Sequence, residues 1–258
     1  MYGDVLIFNG VGAPSAISIS LENLNISENL YEMEQLGSMV EKQPWGKTVY
    51  DCISGSHIQF QTERAKVDLI TNPWFGRILF IDGVLQSCTG DEHLYHIPFT
   101  REALGYRPQN RILIAGSAEG ALLRQIEDVD GECNLGVKEI VMVDWDKQLV
   151  EHMRDNEPWS RGSFDEPRLE LHYEDIEAFL EKDNRKYTSI LLDLVDMDTK
   201  EEKEWLDKIL NIAKTRLESK GVLTWNGGRH RVWPGYKVKE IIVPSFQEPW
   251  HIVSYTKE

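Results

Sequence analysis

Five carboxylates mark the chemistry this sequence could do. Glu119, Asp144, Asp175, Asp193 and Asp196 each lie just past a short apolar run. The runs are Arg111-Ile112-Leu113-Ile114-Ala115, Glu139-Ile140-Val141-Met142-Val143, Arg168–Tyr173 and Tyr187–Leu192, the last serving both Asp193 and Asp196. An acid at such a place can accept both hydroxyls of a ribose, and acids gathered in a cleft attract cations and repel phosphates. In an open α/β sheet the carboxyl ends of the strands share one edge, where ligands bind. Acids also cap helices and suit helix N-termini. Capping accounts for any one of the five. It accounts less well for all of them together, and least for Asp193 and Asp196, which stand three residues apart in one turn.

These acids need a scaffold, and the stretch around Arg111–Arg124 supplies its centre. The run 111–115 reads as a buried strand, Gly116-Ser117-Ala118-Glu119-Gly120-Ala121 as a tight turn of small residues, and Leu122-Leu123-Arg124-Gln125-Ile126 as the start of a helix. A second strand follows and ends in Asp144-Trp145-Asp146. Strand, small-residue turn, helix, strand and acid form one nucleotide-binding half of a doubly wound sheet. The small residues of the turn let the backbone approach a ligand closely. Asp146 to Asn156 is helical in pattern, as are 176–182 and Lys200 to Ser219. Gly221–Trp225, Glu240–Val243 and His251–Tyr255 read as further strands. The alternation predicts a parallel sheet with helices on both faces.

Upstream the text is different. Thr48–Ile53, Ser56–Thr62, Lys66–Ile70 and Arg77–Ile81 alternate in strand fashion, broken at Ser54-Gly55, Asn72-Pro73 and the tight-turn signal Asp82-Gly83. They predict a small antiparallel domain of four or five strands, with Trp45 and Trp74 as packing residues. In residues 1–44, Val5–Phe8 and Ala16–Leu21 read as strands and Asn25 to Met39 as a short helix, with no chemistry attached. The predicted domains are thus residues 1–88, the N-terminal region with its β domain, and 89–258, the catalytic nucleoside-binding domain. At their junction stands Gly90-Asp91-Glu92-His93-Leu94-Tyr95-His96, a helix start where ligand sites often form. His93 and His96 could share a helix face as metal ligands do. No matching Cys, His or acid cluster follows, so no metal is expected.

Composition narrows the partners. With 43 acids against 28 bases the net charge is −15, the wrong sign for a nucleic-acid surface. No apolar run approaches the roughly 18 residues of a membrane span. Met1-Tyr2-Gly3-Asp4-Val5 has no basic region, so no signal peptide is expected. Cys52, Cys88 and Cys133 are few, odd in number and far apart, and fit a reducing cytoplasm better than a disulfide framework.

The stretch from Ile81 to Asp196 resembles the spermidine synthases, the polyamine aminopropyltransferases. Ile81-Asp82-Gly83-Val84-Leu85-Gln86 and Asp91-Glu92-His93-Leu94-Tyr95-His96 are similar to the family's Leu-Asp-Gly-Val-x-Gln and Asp-Glu-Phe-x-Tyr-His-Glu. Ile112 to Ile126 is similar to its Val-Leu-Ile-Ile-Gly-Gly-Gly-Asp-Gly-Gly-Val-Leu-Arg-Glu-Val. Val143-Asp144-Trp145-Asp146 matches Val-Glu-Ile-Asp, Glu174-Asp175 matches Gly-Asp, and Asp193-Leu194-Val195-Asp196 matches Asp-Ser-Ser-Asp, all in the family's order. Val243-Pro244-Ser245-Phe246 faintly resembles Ile-Pro-Thr-Tyr. Residues 1–44 show no match.

The resemblance implies an α/β fold: a Rossmann-like, methyltransferase-type sheet behind a small N-terminal antiparallel β domain, in a cytoplasmic homodimer or homotetramer. It implies transfer of the aminopropyl group of decarboxylated S-adenosylmethionine to putrescine or an unusual amine acceptor, releasing methylthioadenosine. The donor is a co-substrate; no cofactor is bound permanently, and no nucleic acid or membrane takes part. Residue by residue, it places Asp144 on the ribose, Asp175 on the adenine amine, and His96 and Gly116 at the nucleoside. Glu119 would hold the donor's ammonium. Tyr95, Asp193, Asp196 and Phe246 would receive the acceptor, with Asp193 the base.

The sequence also departs from the family. Ser117, Ala118 and Ala121 replace glycines, Glu119 an aspartate, Asp144 a glutamate, Ile97 a glutamate and Met197 a proline. Phe246 lacks a tyrosine hydroxyl. The nucleoside half of the site is better kept than the acceptor half. Two other readings therefore accompany the first: a methyltransferase using intact S-adenosylmethionine on the same fold, and a non-catalytic relative that binds a nucleoside or polyamine.

Overall fold

The computed structural model describes residues 36–43, 46–194, 199–227, 232–244 and 249–258. Residues 37–258 form one compact unit. Its centre is a seven-stranded sheet built from β7 (Arg111–Gly116), β8 (Glu139–Asp144), β9 (Leu169–Tyr173), β10 (Tyr187–Asp193), β11 (Leu217–Asn226), β12 (Tyr236–Val243) and β13 (Trp250–Lys257). The spatial order is β12-β13-β11-β10-β7-β8-β9. β7 to β11 pair in parallel, while β13 runs antiparallel to both β11 and β12. The chain builds outward from β7 through β8 to β9, then returns to place β10 on the other side of β7. That reversal is the switch point at which open sheets of this kind bind ligands. There Asp193, the last residue of β10, pairs in register with Gly116, the last of β7.

The apolar runs form strands because both sheet faces are covered. Side chains alternate across a strand. Leu113 and Ala115 face α4 (Ile176–Lys182) and α5 (Lys200–Arg216) through Phe179, Leu180, Ile209 and Leu210. Ile112 and Ile114 face α1 (Glu92–Leu104) and α2 (Ala121–Cys133) through Phe99, Ala103, Leu122 and Ile126. Helix starts are set by side chains. Asp146 accepts from Leu149 N to open α3 (Lys147–Asn156), Asp175 caps α4, and Thr199 with Glu202 makes a capping box for α5.

A second, four-stranded antiparallel sheet comprises β3 (Ile58–Gln61), β4 (Lys66–Asn72), β5 (Gly76–Ile81) and β6 (Val84–Cys88). A two-stranded pair, β1 (Leu36–Gln43) and β2 (Gly46–Ile53), accompanies it. One face of the four-stranded sheet presents Val67, Leu69 and Leu79 to Ala118, Ala121, Leu149 and Trp159. The other packs Ile70, Ile78 and Phe80 on Tyr50 and Cys52. Polar clamps fix the first contact: Arg77 grips Glu157 with two 2.8 Å bonds, Thr62 donates to Asp146 at 2.6 Å, and Trp159 Nε1 donates to Ser87 at 2.9 Å. The small sheet therefore holds the turn that carries Ala118 and Glu119.

Several local expectations differ from the structure. The helix expected over Asn25 to Met39 has become strand by Leu36, since 36–43 pair with β2; the earlier part lies outside the described residues, as do Val5–Phe8, Ala16–Leu21 and Trp45. The helix expected to run to Ser219 stops at Arg216, and β11 begins at Leu217, whose buried side chain completes the core beside Tyr187. The last two strands are antiparallel. Trp74 is 67% exposed in the β4–β5 turn and packs no core.

Gly116 illustrates how tightly the switch point is built. Its φ is +81°, and a Cβ there would lie 1.9 Å from the carbonyl oxygen of Asp193. The left-handed backbone alone costs a non-glycine residue about 1–2 kcal/mol. Gly116→Ala is therefore expected to lower Tm by several degrees, at roughly 2–4 °C per kcal/mol for a chain of this size. A thermal melt within 1 °C of the parent would show that the two strand ends can part without cost.

Candidate active site

The site grows from the ends of β7, β8 and β10 and the first turns of α1. After Gly116 the backbone stays left-handed at Ser117 (φ 62°), and Gly120 (φ 79°) starts α2. A Cβ on Gly120 would come within 2.8 Å of Ser160 and closer still to Phe164, so this second glycine is also required. The turn carries Glu119 inward, where it is 7% exposed. Ser117 Oγ donates to Glu119 Oε1 at 3.2 Å and accepts from Leu122 N at 3.4 Å.

Across the turn stands His96, 3% exposed on the inner face of α1. Its Nε2 is 3.2 Å from Glu119 Oε1 and its Nδ1 is 2.9 Å from Glu92 Oε2. Burial opposes a charge on the ring, but Glu119 and Glu92 outweigh it and push the imidazole up to about 10. Arg124 Nη2 in turn donates to Glu92 Oε1 at 2.6 Å. His93, three residues before His96, is exposed, so the two histidines do not share a face.

Asp193 completes the centre. Tyr95 Oη donates to its Oδ1 at 2.6 Å, and the Ser117 hydroxyl also faces it. Burial, then the Glu119 charge, push its carboxyl up to about 6 against the pull of His96. At the end of β8, Asp144 is buried and accepts from Asp146 N at 2.8 Å on Oδ1. Burial pushes it up to about 7, with Asp146, Glu119 and Asp193 adding repulsion. Asp175, at the end of β9, spends Oδ1 on the backbone N–H groups of Glu177 and Ala178 at 2.8 and 3.2 Å. Oδ2 accepts from no described residue. Asp196 and Phe246 lie outside the described residues.

His96, Glu119 and Asp193 each offer an atom within 4.8 Å of the others. A metal would need a ring nitrogen with a free lone pair. Here both nitrogens of His96 face carboxylates, at 2.9 and 3.2 Å, which favours a doubly protonated ring over one with a lone pair for a metal. The trio carries two carboxylates against one cation. An arriving ammonium or sulfonium would meet a net negative charge in a buried place, where unpaired charge is costly.

Beside this trio a pocket runs between β6, α1 and β13, lined by Gln86, Ser87, Asp91, Tyr95, His96 and Trp250. The rings of Tyr95 and Trp250 lie 5.1 Å apart. The Cys88 thiol in its wall donates to Asp91 at 2.9 Å and is pushed up to about 12 by burial and then by Asp91, which favours the neutral thiol over the thiolate.

The fold thus brings together Tyr95, His96, Gly116, Glu119 and Asp193, with Asp144 and Asp175 on the neighbouring strand ends. Glu92, Arg124 and Ser117 join them without having been given a role at the site from the sequence. The i, i+4 spacing of Glu92 and His96 was a usable signal; Arg124, on the next helix, gave none.

Comparisons with known proteins bear on the family and the fold. The family model for the spermine/spermidine synthase domain matches residues 88–239. Polyamine aminopropyltransferase 2 of Pseudomonas aeruginosa is 40% identical over 125 residues, which are 48% of this chain and 34% of that protein. The polyamine aminopropyltransferase of Sulfolobus acidocaldarius is 32% identical over 173 residues, 66% of this chain and 54% of that one. The chain thus spans between about a third and just over half of the length of these relatives. Among solved structures, spermidine synthase from Thermotoga maritima superposes with a TM-score of 0.70 at 17% identity, covering 86% of this chain and 79% of that chain. A spermidine synthase in complex with the transition-state analogue AdoDATO gives 0.72 at 16%, covering 86% and 80%. At these identities the likeness shows the fold, a Rossmann-like α/β sheet with N-terminal antiparallel strands.

Proposed function

The chain belongs to the spermine/spermidine synthase family, and from that membership we propose that it is an aminopropyltransferase: it moves the aminopropyl group of decarboxylated S-adenosylmethionine to a diamine or polyamine. One observation carries the reading. At the switch point Asp193, held by Tyr95, and Glu119, paired with His96, lie within reach of one another and bear excess negative charge. Two cationic substrates could be set there side by side.

The division of labour follows from position. Asp144, with Oδ1 taken by Asp146 N–H, offers Oδ2 to the ribose hydroxyls. Asp175 offers Oδ2 to the adenine amine while its Oδ1 caps α4. Gly116 allows the nucleoside close to the backbone. Both bonds to Glu119 fall on Oε1, and Oε2 takes the donor's ammonium. His96 acts on the donor through Glu119. The acceptor enters through the pocket beside Tyr95 and Trp250, with Asp196 and Phe246 assigned to its further contacts.

The amine arrives protonated, with a pKa near about 10. Asp193 takes its proton, the nitrogen lone pair attacks the carbon next to the sulfonium, and the carbon–sulfur bond breaks. Methylthioadenosine leaves as a neutral thioether, and the proton passes from Asp193 to solvent. The residues need only align and desolvate the pair; the alignment itself supplies much of the acceleration. We assign the active unit to a cytoplasmic homodimer or homotetramer; among the described residues no helix is long and apolar enough to cross a membrane.

The nucleoside half is tested by calorimetry. Methylthioadenosine should bind more tightly than S-adenosylhomocysteine, whose carboxylate would meet Glu119. Asp144→Ala should weaken methylthioadenosine by roughly 1.5–3 kcal/mol, as for a hydrogen bond to a charged group. Unchanged affinity in that variant would remove Asp144 from the site.

A further inference from the structure

The buried chain behind Glu119 extends past His96 to Glu92 and Arg124, which the aminopropyl reading leaves without a role. Arg124, Glu92, His96 and Glu119 alternate in charge, and all four are nine-tenths buried. Their contacts are continuous: Arg124 Nη2 to Glu92 Oε1 at 2.6 Å, Glu92 Oε2 to His96 Nδ1 at 2.9 Å, and His96 Nε2 to Glu119 Oε1 at 3.2 Å. The far end is anchored too, since Arg124 Nη1 donates to the carbonyl of Trp159. A neutral imidazole has one N–H and one lone pair. Between two carboxylates it would turn the lone pair toward one of them. With both carboxylates ionised, only the doubly protonated ring donates to both neighbours.

We propose that Glu92, backed by Arg124, is the positioning residue that holds His96 as an imidazolium and thereby fixes Glu119 for the donor's ammonium. The role rests on the donor-binding function proposed for Glu119. The described charged and titratable groups that face the ring take part. Glu92 and Tyr95 come from α1, Glu119 from the β7–α2 turn, and Asp193 from β10. With the ring pushed up to about 10, the clamp on Glu119 does not change through neutral pH. Removing the Glu92 charge takes away one of the two carboxylates that sustain it. Glu119 Oε1 then loses its ionic partner, while Ser117 alone remains to orient it.

The test uses the full chain, ¹⁵N-labelled at histidine, with the His96 signals identified by their loss in His96→Gln. In the parent, both ring nitrogens of His96 should stay protonated to about pH 9. In Glu92→Gln, one should lose its proton below about pH 8. Calorimetry with decarboxylated S-adenosylmethionine should then show affinity about tenfold or more weaker at pH 8.5, the loss expected for a charged hydrogen bond. Methylthioadenosine, which has no ammonium, should bind as before. His96→Gln should weaken the donor similarly without pH dependence. A parent His96 carrying one proton at neutral pH would overturn the proposal. So would a Glu92→Gln protein whose His96 keeps both protons, or whose donor affinity is unchanged. If the parent binds neither nucleoside, the donor reading fails, while the ring signals still decide whether Glu92 holds the charge.

Discussion

Asp193→Asn is expected to lower turnover by about 100-fold or more, the usual worth of a positioned general base. Methylthioadenosine binding should survive. The substitution keeps the size of the side chain and can still accept from Tyr95 Oη, so the local geometry should hold. What is lost is the ability to take a proton from the acceptor. The same residue sets a pH limit. Its carboxyl is raised from the ordinary aspartate value to about 6, first by burial and then by Glu119. A raised carboxyl is charged only above that value. Activity should therefore be present above about pH 6 and fall as pH drops through it, as the base becomes protonated and the amine stays protonated. The check is a steady-state assay over several amines and a pH series. An Asp193→Asn protein that turns over any amine as fast as the parent would take the base assignment away from Asp193.

Glu119→Gln should abolish the preference for decarboxylated over intact S-adenosylmethionine. The two donors differ by one carboxylate next to the ammonium. An anionic Glu119 attracts the ammonium of the first and repels the carboxylate of the second. Gln keeps the hydrogen-bonding shape and removes the charge, so the ratio of affinities should change by roughly 10- to 100-fold, the worth of a hydrogen bond to a charged group. Competition calorimetry with both donors measures it directly. If the unmutated protein already prefers the intact form, the methyltransferase reading replaces this one.

Much of the fold was legible because the apolar runs are unusually clean. Leu113 to Ala115, Val141 to Val143 and Ile190 to Leu192 are buried on both sheet faces, so continuous hydrophobicity and strand coincide. Position after such a run then located Glu119, Asp144 and Asp193 at one edge without any knowledge of the loops. The misses have physical causes. The helix signal in Lys200 to Ser219 carried past Arg216 because its polar residues continue, whereas burial of Leu217 decides the break. The antiparallel return of β13 depends on pairing partners far away in sequence, which a local pattern does not carry. At the site, His96 drew attention as one of two histidines three apart. Its partners turned out to be Glu92 one turn before it and Glu119 on another element. Arg124 looked like an ordinary helix residue, and only the packing of α1 against α2 makes it the counterion of Glu92.

The departures from the family pattern also acquire a physical meaning. Ser117 stands where the family has a glycine and still adopts a left-handed backbone at φ 62°. In exchange it brings a hydroxyl between Glu119 and Asp193, the two acids assigned to donor and acceptor. Glu119, a methylene longer than the family's aspartate, meets His96 across the turn at 3.2 Å.

Aminopropyl transfer by this chain is tested most directly by one assay. Purified protein is mixed with decarboxylated S-adenosylmethionine and, separately, with putrescine, cadaverine, agmatine and spermidine, and methylthioadenosine and the aminopropylated amine are quantified together. Both products should form stoichiometrically with at least one of these amines, and neither with intact S-adenosylmethionine. Absence of both products with every amine, from a protein that still binds methylthioadenosine, would contradict it and leave a nucleoside-binding relative without transferase activity.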